Sequence, residues 1–344
     1  MRLIRNVLVC STALLLMVGL LASSAGAVST ISPTPGSLKT YTISGDYVTG
    51  VSSGGYMAGQ LEVAYSSIFK GAGIVAAGPY YCAQGNVNHA NLACMNNFAS
   101  DQLSMLEADA SAWSSQGLID SVSNLATQRL WVFHGASDTT VQGSVVGDLV
   151  AFYQHFGATV TYNHATSSGH AWVSPYGPNP CTVTRSPYLN NCGTDPEKEL
   201  LGVLFGVGIT APNTAQLTGQ LIQFTQDSFA PGGLASSVSM ASNGYLYVPA
   251  TCASGSACRL LVALHGCSQS SSSIQLAFVN DANLNQYADT NNFIVLYPQA
   301  VASPSNPNAC WDWWGYLGAG DAAYAQHGGA QLEAIMRMVH SLGG

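Results

Sequence analysis

The sequence predicts an α/β fold with a mainly parallel sheet flanked by helices, and two observations support this. Apolar strand-like runs alternate with helix-like runs along the chain, which is typical of parallel strands joined by helical crossovers. Hydrophobic residues make up 47% of the chain and charged residues only 8%. A chain of this composition can bury a large core and is not expected to be disordered.

The apolar runs predict individual elements in chain order. Strands are expected at residues 129–134, 158–164, 259–265 and 293–298, and helices at 56–69, 143–156, 275–291 and 328–342. The stretch 181–253 is rich in Gly, Ser, Asn and Pro, and we expect it to cover the sheet. Because no internal repeat or long linker interrupts the chain, we expect residues 28–344 to form a single domain.

The N-terminal segment 1–27 has the pattern of a signal peptide. Arg2 and Arg5 precede an apolar run, residues 6–21, which ends in a stretch of small residues up to Ala27. A membrane anchor is the alternative, but the apolar run is short and no stop-transfer charges follow it. We therefore expect cleavage near Ala27 and a secreted, extracellular protein that is not bound to a membrane.

The cysteines agree with an oxidising compartment. Of nine cysteines, Cys10 belongs to the signal segment, and an even number in a secreted chain suggests disulfides. The remaining eight fall into pairs of sequence neighbours, three of them close, namely Cys82 and Cys94, Cys181 and Cys192, and Cys252 and Cys258, and one more distant, Cys267 and Cys310. Neighbour pairing is a hypothesis, since eight cysteines allow 105 pairings. A zinc site is the alternative, but no C-x-x-C motif or suitably spaced His supports it, so we expect no metal and no organic cofactor.

The charge balance disfavours one class of partner. Nine basic against seventeen acidic residues give a net charge of −8, which disfavours binding to a nucleic acid backbone. The weakly charged surface could instead approach an uncharged, apolar material. We expect a monomer.

The strongest local motif is the segment 50–55, which reads Gly-Val-Ser-Ser-Gly-Gly between a strand-like and a helix-like run. This pattern is typical of a nucleophile elbow, in which flanking glycines permit the sharp turn that exposes the hydroxyl, here of Ser52. A Gly/Ser turn without function is the alternative in a chain with 36 glycines.

A serine hydroxyl needs a base and an orienting acid to become a nucleophile. Asp138 follows a predicted strand and a Gly turn, and is our candidate acid, with Asp148 and Asp195 as rivals. His170 lies in a loop after the next predicted strand, and is our candidate base, with His134 as the rival. A helix-capping Asp138 and an ordinary loop His170 are the alternatives without function.

Acyl transfer also needs N–H donors for the developing oxyanion, one of them on the residue after the nucleophile, here Ser53. The second candidate is the N–H of Cys267, after the predicted strand 259–265. In the ordinary α/β hydrolase that strand precedes the elbow, whereas here it follows. Moving residues from about 240 to 344 in front of residue 40 restores the ordinary order, so the sequence predicts a circularly permuted α/β-hydrolase fold.

With these motifs the chain resembles the secreted poly(3-hydroxybutyrate) depolymerases and the related feruloyl and acetylxylan esterases. The segments that carry the resemblance are 50–57, 134–141, 169–170, 261–268, 297–298 and 310–314. The resemblance implies a serine esterase that acts on a short-chain polyhydroxyalkanoate, with the roles of triad and oxyanion donors assigned as above. Many bacterial members append a linker and a polymer-adsorbing domain, and this chain resembles the form without them.

Three tryptophans, Trp311, Trp313 and Trp314, lie on a loop that the hydrolase order places near the active-site mouth. We predict that they bind the polyester, because aromatic faces pack well on aliphatic chains. A place in the core is the alternative for each, and we assign Trp131 to the core. A feruloyl or acetylxylan esterase is the alternative function, and a catalytically inactive polymer-binding protein is the alternative of another class.

Overall fold

The computed structural model describes residues 30–318 and 322–344, so the predicted signal peptide lies outside the described residues. The strands are, in chain order, β1 (Thr34–Pro35), β2 (Ile43–Val51), β3 (Phe69–Val75), β4 (Arg129–Phe133), β5 (Thr159–Asn163), β6 (Trp172–Val173), β7 (Asn179–Pro180), β8 (Leu189–Asn191), β9 (Gln220–Thr225), β10 (Asn243–Val248), β11 (Cys258–Leu264) and β12 (Phe293–Tyr297).

The α-helices are, in chain order, α1 (Ser53–Ala64), α2 (Val87–Leu92), α3 (Leu103–Ser115), α4 (Gly143–His155), α5 (Pro196–Phe205), α6 (Ala250–Ala253), α7 (Ser271–Ile274), α8 (Ala277–Asp281), α9 (Leu284–Asn291) and α10 (Ala330–Leu342). Short 3₁₀ turns occur at Val122–Thr127, Pro231–Gly233, Ala235–Val238 and Ala322–Ala325.

The main sheet has nine strands in the order β1-β9-β10-β12-β11-β2-β3-β4-β5. All neighbouring pairs are parallel except those of β10, which runs antiparallel to both β9 and β12. A second, small sheet has the order β6-β8-β7. The predicted α/β class with a mainly parallel sheet is therefore confirmed.

The sheet separates two apolar layers, because successive side chains of a strand point to opposite faces. In β4, Leu130 and Val132 contact the layer formed by α1, α3, α4 and α10, whereas Trp131 and Phe133 contact the layer of α5, α8 and α9. Helices thus cover both faces, and the carboxyl ends of the parallel strands meet at one edge. Trp131 belongs to the core, as expected.

The chain order confirms the predicted circular permutation. The elbow strand β2 lies beside β11, although β11 comes much later in the chain, and the C-terminal helix α10 ends where β2 begins. There the Tyr41 N–H donates to the Leu342 carbonyl at 2.9 Å. The C-terminal segment that precedes the elbow in the ordinary hydrolase order begins earlier than residue 240, because β9 lies beside β10 in the same half of the sheet.

Three sequence-based expectations on elements are wrong. The helix expected at 56–69 ends at Ala64, and β3 follows as a central strand whose Gly71 and Gly73 weaken the strand pattern. The stretch 181–253 contributes the sheet strands β9 and β10 as well as covering structure. The helix expected at 275–291 is interrupted at Asn283, which has a left-handed backbone.

Candidate active site

Ser52 occupies a sharp turn between β2 and α1. Its backbone is left-handed, with φ 58° and ψ −123°, a strained conformation for a residue other than glycine. The neighbouring glycines are required by close backbone contacts. A Cβ on Gly50 would lie 2.2 Å from the Gly54 carbonyl oxygen, and one on Gly54 would lie 2.3 Å from the Leu264 carbonyl oxygen. The turn expected from the sequence is therefore present at the carboxyl edge of the sheet.

Asp138 and His170 are brought together from loops that follow β4 and β5. The imidazole Nδ1 of His170 lies 2.7 Å from Asp138 Oδ2. The other carboxylate oxygen, Oδ1, accepts the N–H groups of Thr140 at 2.8 Å and Val141 at 3.1 Å. Because the Asp138 side chain is fully buried, these bonds fix the carboxylate, and the carboxylate in turn fixes the orientation of the imidazole.

The loop of His170 is held by the small sheet. The His170 backbone N–H donates to Thr184 Oγ1 at 2.9 Å. The buried side-chain amide of Asn190, in β8, donates to the carbonyls of Cys181 and Val183 at 2.7 Å each. The disulfide Cys181–Cys192 closes the same loop. Sequence reasoning missed Thr184 and Asn190, because no motif marks a residue that supports a distant loop.

The two candidate oxyanion donors lie on either side of the serine. Ser53 is the first residue of α1, and Cys267 follows β11, the strand beside β2. The loop of Cys267 touches the elbow, since a Cβ on Gly266 would lie 3.3 Å from the Ser52 Cβ. Within the described residues, neither N–H donates to a protein acceptor, so both are available to a bound group.

Ser52 and His170 line one cleft of about 520 Å³. Cys267 and Gln269 line it from the loop that follows β11, and its other walls come from the α2 segment, the loop of Thr184 and the loop before Trp313. Among the described lining residues none is Asp, Glu, Lys or Arg. The arrangement therefore combines a serine hydroxyl, an oriented imidazole and unpaired N–H groups in an apolar, uncharged cleft.

The three tryptophans have different environments. Trp313 and Trp314 line the cleft, and Trp313 stacks on Tyr56 with ring centroids 4.0 Å apart. Trp311 is fully buried, and its indole N–H donates to the His265 carbonyl at 2.9 Å. The expectation that Trp311 contacts substrate is thus wrong, because this side chain is buried beneath the loop that follows β11.

The rival residues have other partners. His134 Nε2 lies 3.1 Å from the Val141 carbonyl oxygen, so this imidazole supports the loop of Asp138. Asp195 accepts the hydroxyl of Tyr287 at 2.6 Å, and Asp148 lies beside Asp101, whose pKa is raised to about 6 by burial and by this neighbouring charge. None of the three rivals lines the cleft.

The four neighbour pairs of cysteines form disulfides in the structure. Sequence reasoning missed one wall of the cleft, the α2 segment with Val87, Ala90, Asn91 and Met95. The signal that could have found it is the pair Cys82 and Cys94, whose disulfide encloses most of this segment.

Across residues 30–318 and 322–344, the structure has no cluster of His, Cys, Asp or Glu suited to a metal ion. Over the same residues, no helix has the length and hydropathy of a membrane span.

Comparison with known proteins gives consistent matches. The family model described as "Esterase PHB depolymerase" matches residues 242–342. A poly(3-hydroxybutyrate) depolymerase of Delftia acidovorans is 40% identical over 298 residues, which are 85% of this chain and 58% of that protein. A polyhydroxybutyrate depolymerase of Talaromyces funiculosus is 40% identical over 314 residues, covering 86% of this chain and 88% of the relative. The chain thus spans little more than half the length of the Delftia relative.

Two solved structures are similar over most of their length. The crystal structure of the PHB depolymerase from Penicillium funiculosum is 38% identical, with a TM-score of 0.81 over 89% of this chain and 98% of that one. A serine-to-alanine variant of a PHB depolymerase in complex with an R3HB trimer is 37% identical, with the same TM-score and coverage.

Proposed function

Since the chain belongs to the PHB depolymerase family, we propose that it is a secreted serine esterase that hydrolyses poly(3-hydroxybutyrate). The observation that carries this proposal is the pairing of His170 with Asp138 at 2.7 Å in a cleft that Ser52 also lines. Two relatives named as depolymerases of this polymer, each 40% identical, support the choice of substrate. The uncharged lining of the cleft suits a neutral polyester.

In the proposed reaction, the Ser52 hydroxyl oxygen attacks the ester carbonyl carbon while His170 accepts the hydroxyl proton. Asp138 orients the imidazole and stabilises its positive charge. The N–H groups of Ser53 and Cys267 donate to the oxyanion of the tetrahedral intermediate. Collapse of the intermediate breaks the ester C–O bond, and the departing alkoxide takes the proton from His170, which leaves an acyl group on Ser52.

Water completes the cycle by the reverse proton movements. His170 accepts a proton from water as the water oxygen attacks the acyl carbon, and the second intermediate collapses with return of that proton to the Ser52 oxygen. The products are a carboxylic acid and the regenerated serine. No redox step or added group is needed for this balance.

Secretion is part of the proposal. The signal peptide expected at residues 1–27 would direct export, and the four disulfides support folding in an oxidising compartment. A solid polyester outside the cell would then be accessible to the enzyme.

The proposal is tested first by Ser52→Ala. Loss of the nucleophile should lower kcat on the order of 10⁶-fold without unfolding the protein. Ser305→Ala is a matched control, because it removes an exposed hydroxyl from the same cleft and should retain activity. Ester hydrolysis and melting temperature are measured for both variants. More than a few per cent residual activity in Ser52→Ala would assign the nucleophile to another residue.

The substrate is tested by product release from poly(3-hydroxybutyrate) film and from feruloylated and acetylated xylan, side by side. We expect soluble hydroxybutyrate products from the film and little release from xylan. Faster release of ferulate or acetate would replace the proposed substrate by a cell-wall ester while the serine chemistry remained.

A further inference from the structure

Hydrogen bonds fix the backbone before and after Cys267, whose own N–H has no protein acceptor within the described residues. On one side, the His265 carbonyl accepts the Trp311 indole N–H at 2.9 Å. On the other, the Ser268 N–H donates to the Asn308 carbonyl at 2.6 Å, and Ser268 has a left-handed backbone with φ 56°. The segment 266–269 is a tight turn, closed by the Gln269 N–H on the Gly266 carbonyl at 3.2 Å.

Two side chains hold Gly266 within this turn. The Gln269 side-chain oxygen accepts the Gly266 N–H at 2.7 Å, and His265 Nδ1 lies 2.7 Å from the Gly266 carbonyl oxygen. That carbonyl belongs to the same planar trans peptide as the Cys267 N–H, so the two groups point in opposite directions. Holding the carbonyl towards the protein therefore directs the Cys267 N–H away from it, and Cys267 lines the cleft.

Gln269 also connects this turn to the loop of the catalytic base. Its amide nitrogen donates to the carbonyls of Pro187 at 3.0 Å and Tyr188 at 2.9 Å. The Tyr188 carbonyl also accepts the backbone N–H of Trp172 at 3.0 Å, two residues after His170. The buried Gln269 amide, bonded to Gly266, Pro187 and Tyr188, therefore links the loop of Cys267 to the loop of His170.

The hydrogen bonds of His265 define its tautomer. A carbonyl can only accept, so Nδ1 carries the proton, and Nε2 accepts the Ala300 N–H at 3.1 Å. Complete burial lowers the pKa of His265 to about 4, so the ring is neutral near neutral pH. A neutral, buried imidazole with both nitrogens bonded to backbone is suited to hold a peptide rather than to transfer protons.

We propose that His265 and Gln269 are positioning residues for ester hydrolysis, which together fix the Gly266–Cys267 peptide with its N–H directed at the oxyanion. This inference rests on the proposed function, in which Cys267 supplies one oxyanion donor. Neither side chain forms a bond with the reacting atoms. Their removal should therefore lower stabilisation of the transition state more than binding of the substrate.

Gln269→Leu tests the glutamine. We expect kcat on p-nitrophenyl butyrate to fall about 10- to 100-fold, with KM changed less than about twofold. A trifluoromethyl ketone, which forms a tetrahedral adduct with the serine, should lose affinity in parallel with kcat. Gln128→Leu is the matched control, since the buried Gln128 amide also donates to two carbonyls, those of Ser66 and Phe69, at the opposite edge of the sheet. It should lower the melting temperature but not kcat.

His265 is tested with two substitutions that each preserve one half of the imidazole. His265→Asn retains a donor near the position of Nδ1, and His265→Gln retains an acceptor near that of Nε2. If the bond to the Gly266 carbonyl positions the donor, the Asn variant should retain much more of the kcat than the Gln variant. Similar melting temperatures would show that stability does not cause the difference. Rates are divided by the number of serines labelled to completion by a fluorophosphonate, so that unfolded protein is not counted.

The outcomes separate this inference from the proposed function. Unchanged kcat per labelled serine in Gln269→Leu, or a Gln variant of His265 as active as the Asn variant, would overturn the inference while Ser52→Ala remained inactive. An active Ser52→Ala would instead overturn the proposed function. A parallel loss of kcat and inhibitor affinity with constant KM would support both.

Discussion

At the scale of single residues, two tryptophans of the same loop, Trp311 and Trp314, lie in different environments. Trp311 supports the loop of Cys267 from within the core, whereas the half-buried Trp314 lines the cleft, where a bound polymer could contact it. A short soluble ester fills only the space beside the serine, but a polymer must also lie across the mouth of the cleft. The two tryptophans should therefore respond differently to substitution.

Trp314→Ala should lower hydrolysis of polyester film about 30-fold, because an aromatic anchor typically contributes about 2 kcal/mol to binding. Hydrolysis of p-nitrophenyl butyrate should change little. Trp311→Phe, which loses the hydrogen bond to the His265 carbonyl, should lower the melting temperature and kcat on both substrates. Equal losses on film and soluble ester for Trp314→Ala would mean that Trp314 has no separate role in polymer contact.

At the scale of elements, two loops from different parts of the chain form one wall of the cleft. The disulfide Cys267–Cys310 joins the loop that follows β11 to the loop of Trp313 and Trp314, with a sequence separation of 43. The backbone bond from Ser268 to Asn308 lies beside it. The loop that carries the proposed oxyanion donor Cys267 is thus covalently attached to a loop whose Trp313 and Trp314 line the cleft.

Replacing both Cys267 and Cys310 by Ala should lower kcat at temperatures where the protein is still folded, since the loop of the proposed oxyanion donor loses its covalent support. By loop entropy the change costs about 4 kcal/mol of stability. The control removes Cys252–Cys258, a disulfide with a sequence separation of 6 at the start of β11, the end of the strand remote from the cleft. It should cost about 2 kcal/mol and leave kcat unchanged. Circular dichroism and ester kinetics give the two readouts, and equal effects on kcat would contradict the prediction.

At the scale of the whole molecule, burial of acids links stability to pH. Glu62 on α1 is fully buried, and burial raises its pKa to about 8. In the unfolded chain this carboxyl is ionised above pH 4.5, so unfolding releases a proton between these values. The free energy of unfolding must therefore fall as pH rises towards 8. Burial of Glu197 acts in the same direction, whereas the lowered pKa of His265 acts in the opposite direction and only below pH 6.5.

Glu62→Gln removes this linkage while preserving the shape of the side chain. Between pH 6.5 and 8, the stability of the variant relative to wild type should rise by about 2 kcal/mol. Urea unfolding at several pH values measures the difference, and Glu197 contributes equally to both proteins. A difference that did not change with pH would show that Glu62 is already ionised in the folded protein.

Much of the candidate site was predictable because each of its parts depends on residues that are close in sequence. The turn at Ser52 needs glycines within two positions, Asp138 follows its strand after a short Gly turn, and His170 lies in the loop after the next strand. The late position of the Cys267 loop also predicted the permutation, since the hydrolase order of strands is known. Weak local signals caused the errors, as in β3, where two glycines that pack closely against neighbouring strands obscure the strand pattern.

The sequence by itself determined the fold class, the elbow and the candidate triad, because short-range backbone geometry and chain order dictate them. Only the tertiary structure decided which tryptophans line the cleft, how the α2 segment closes it, and that Gln269 bonds to Pro187 and Tyr188. These contacts join residues far apart in the chain. A side chain's burial and partners depend on what packs against it, and that information lies in no local pattern.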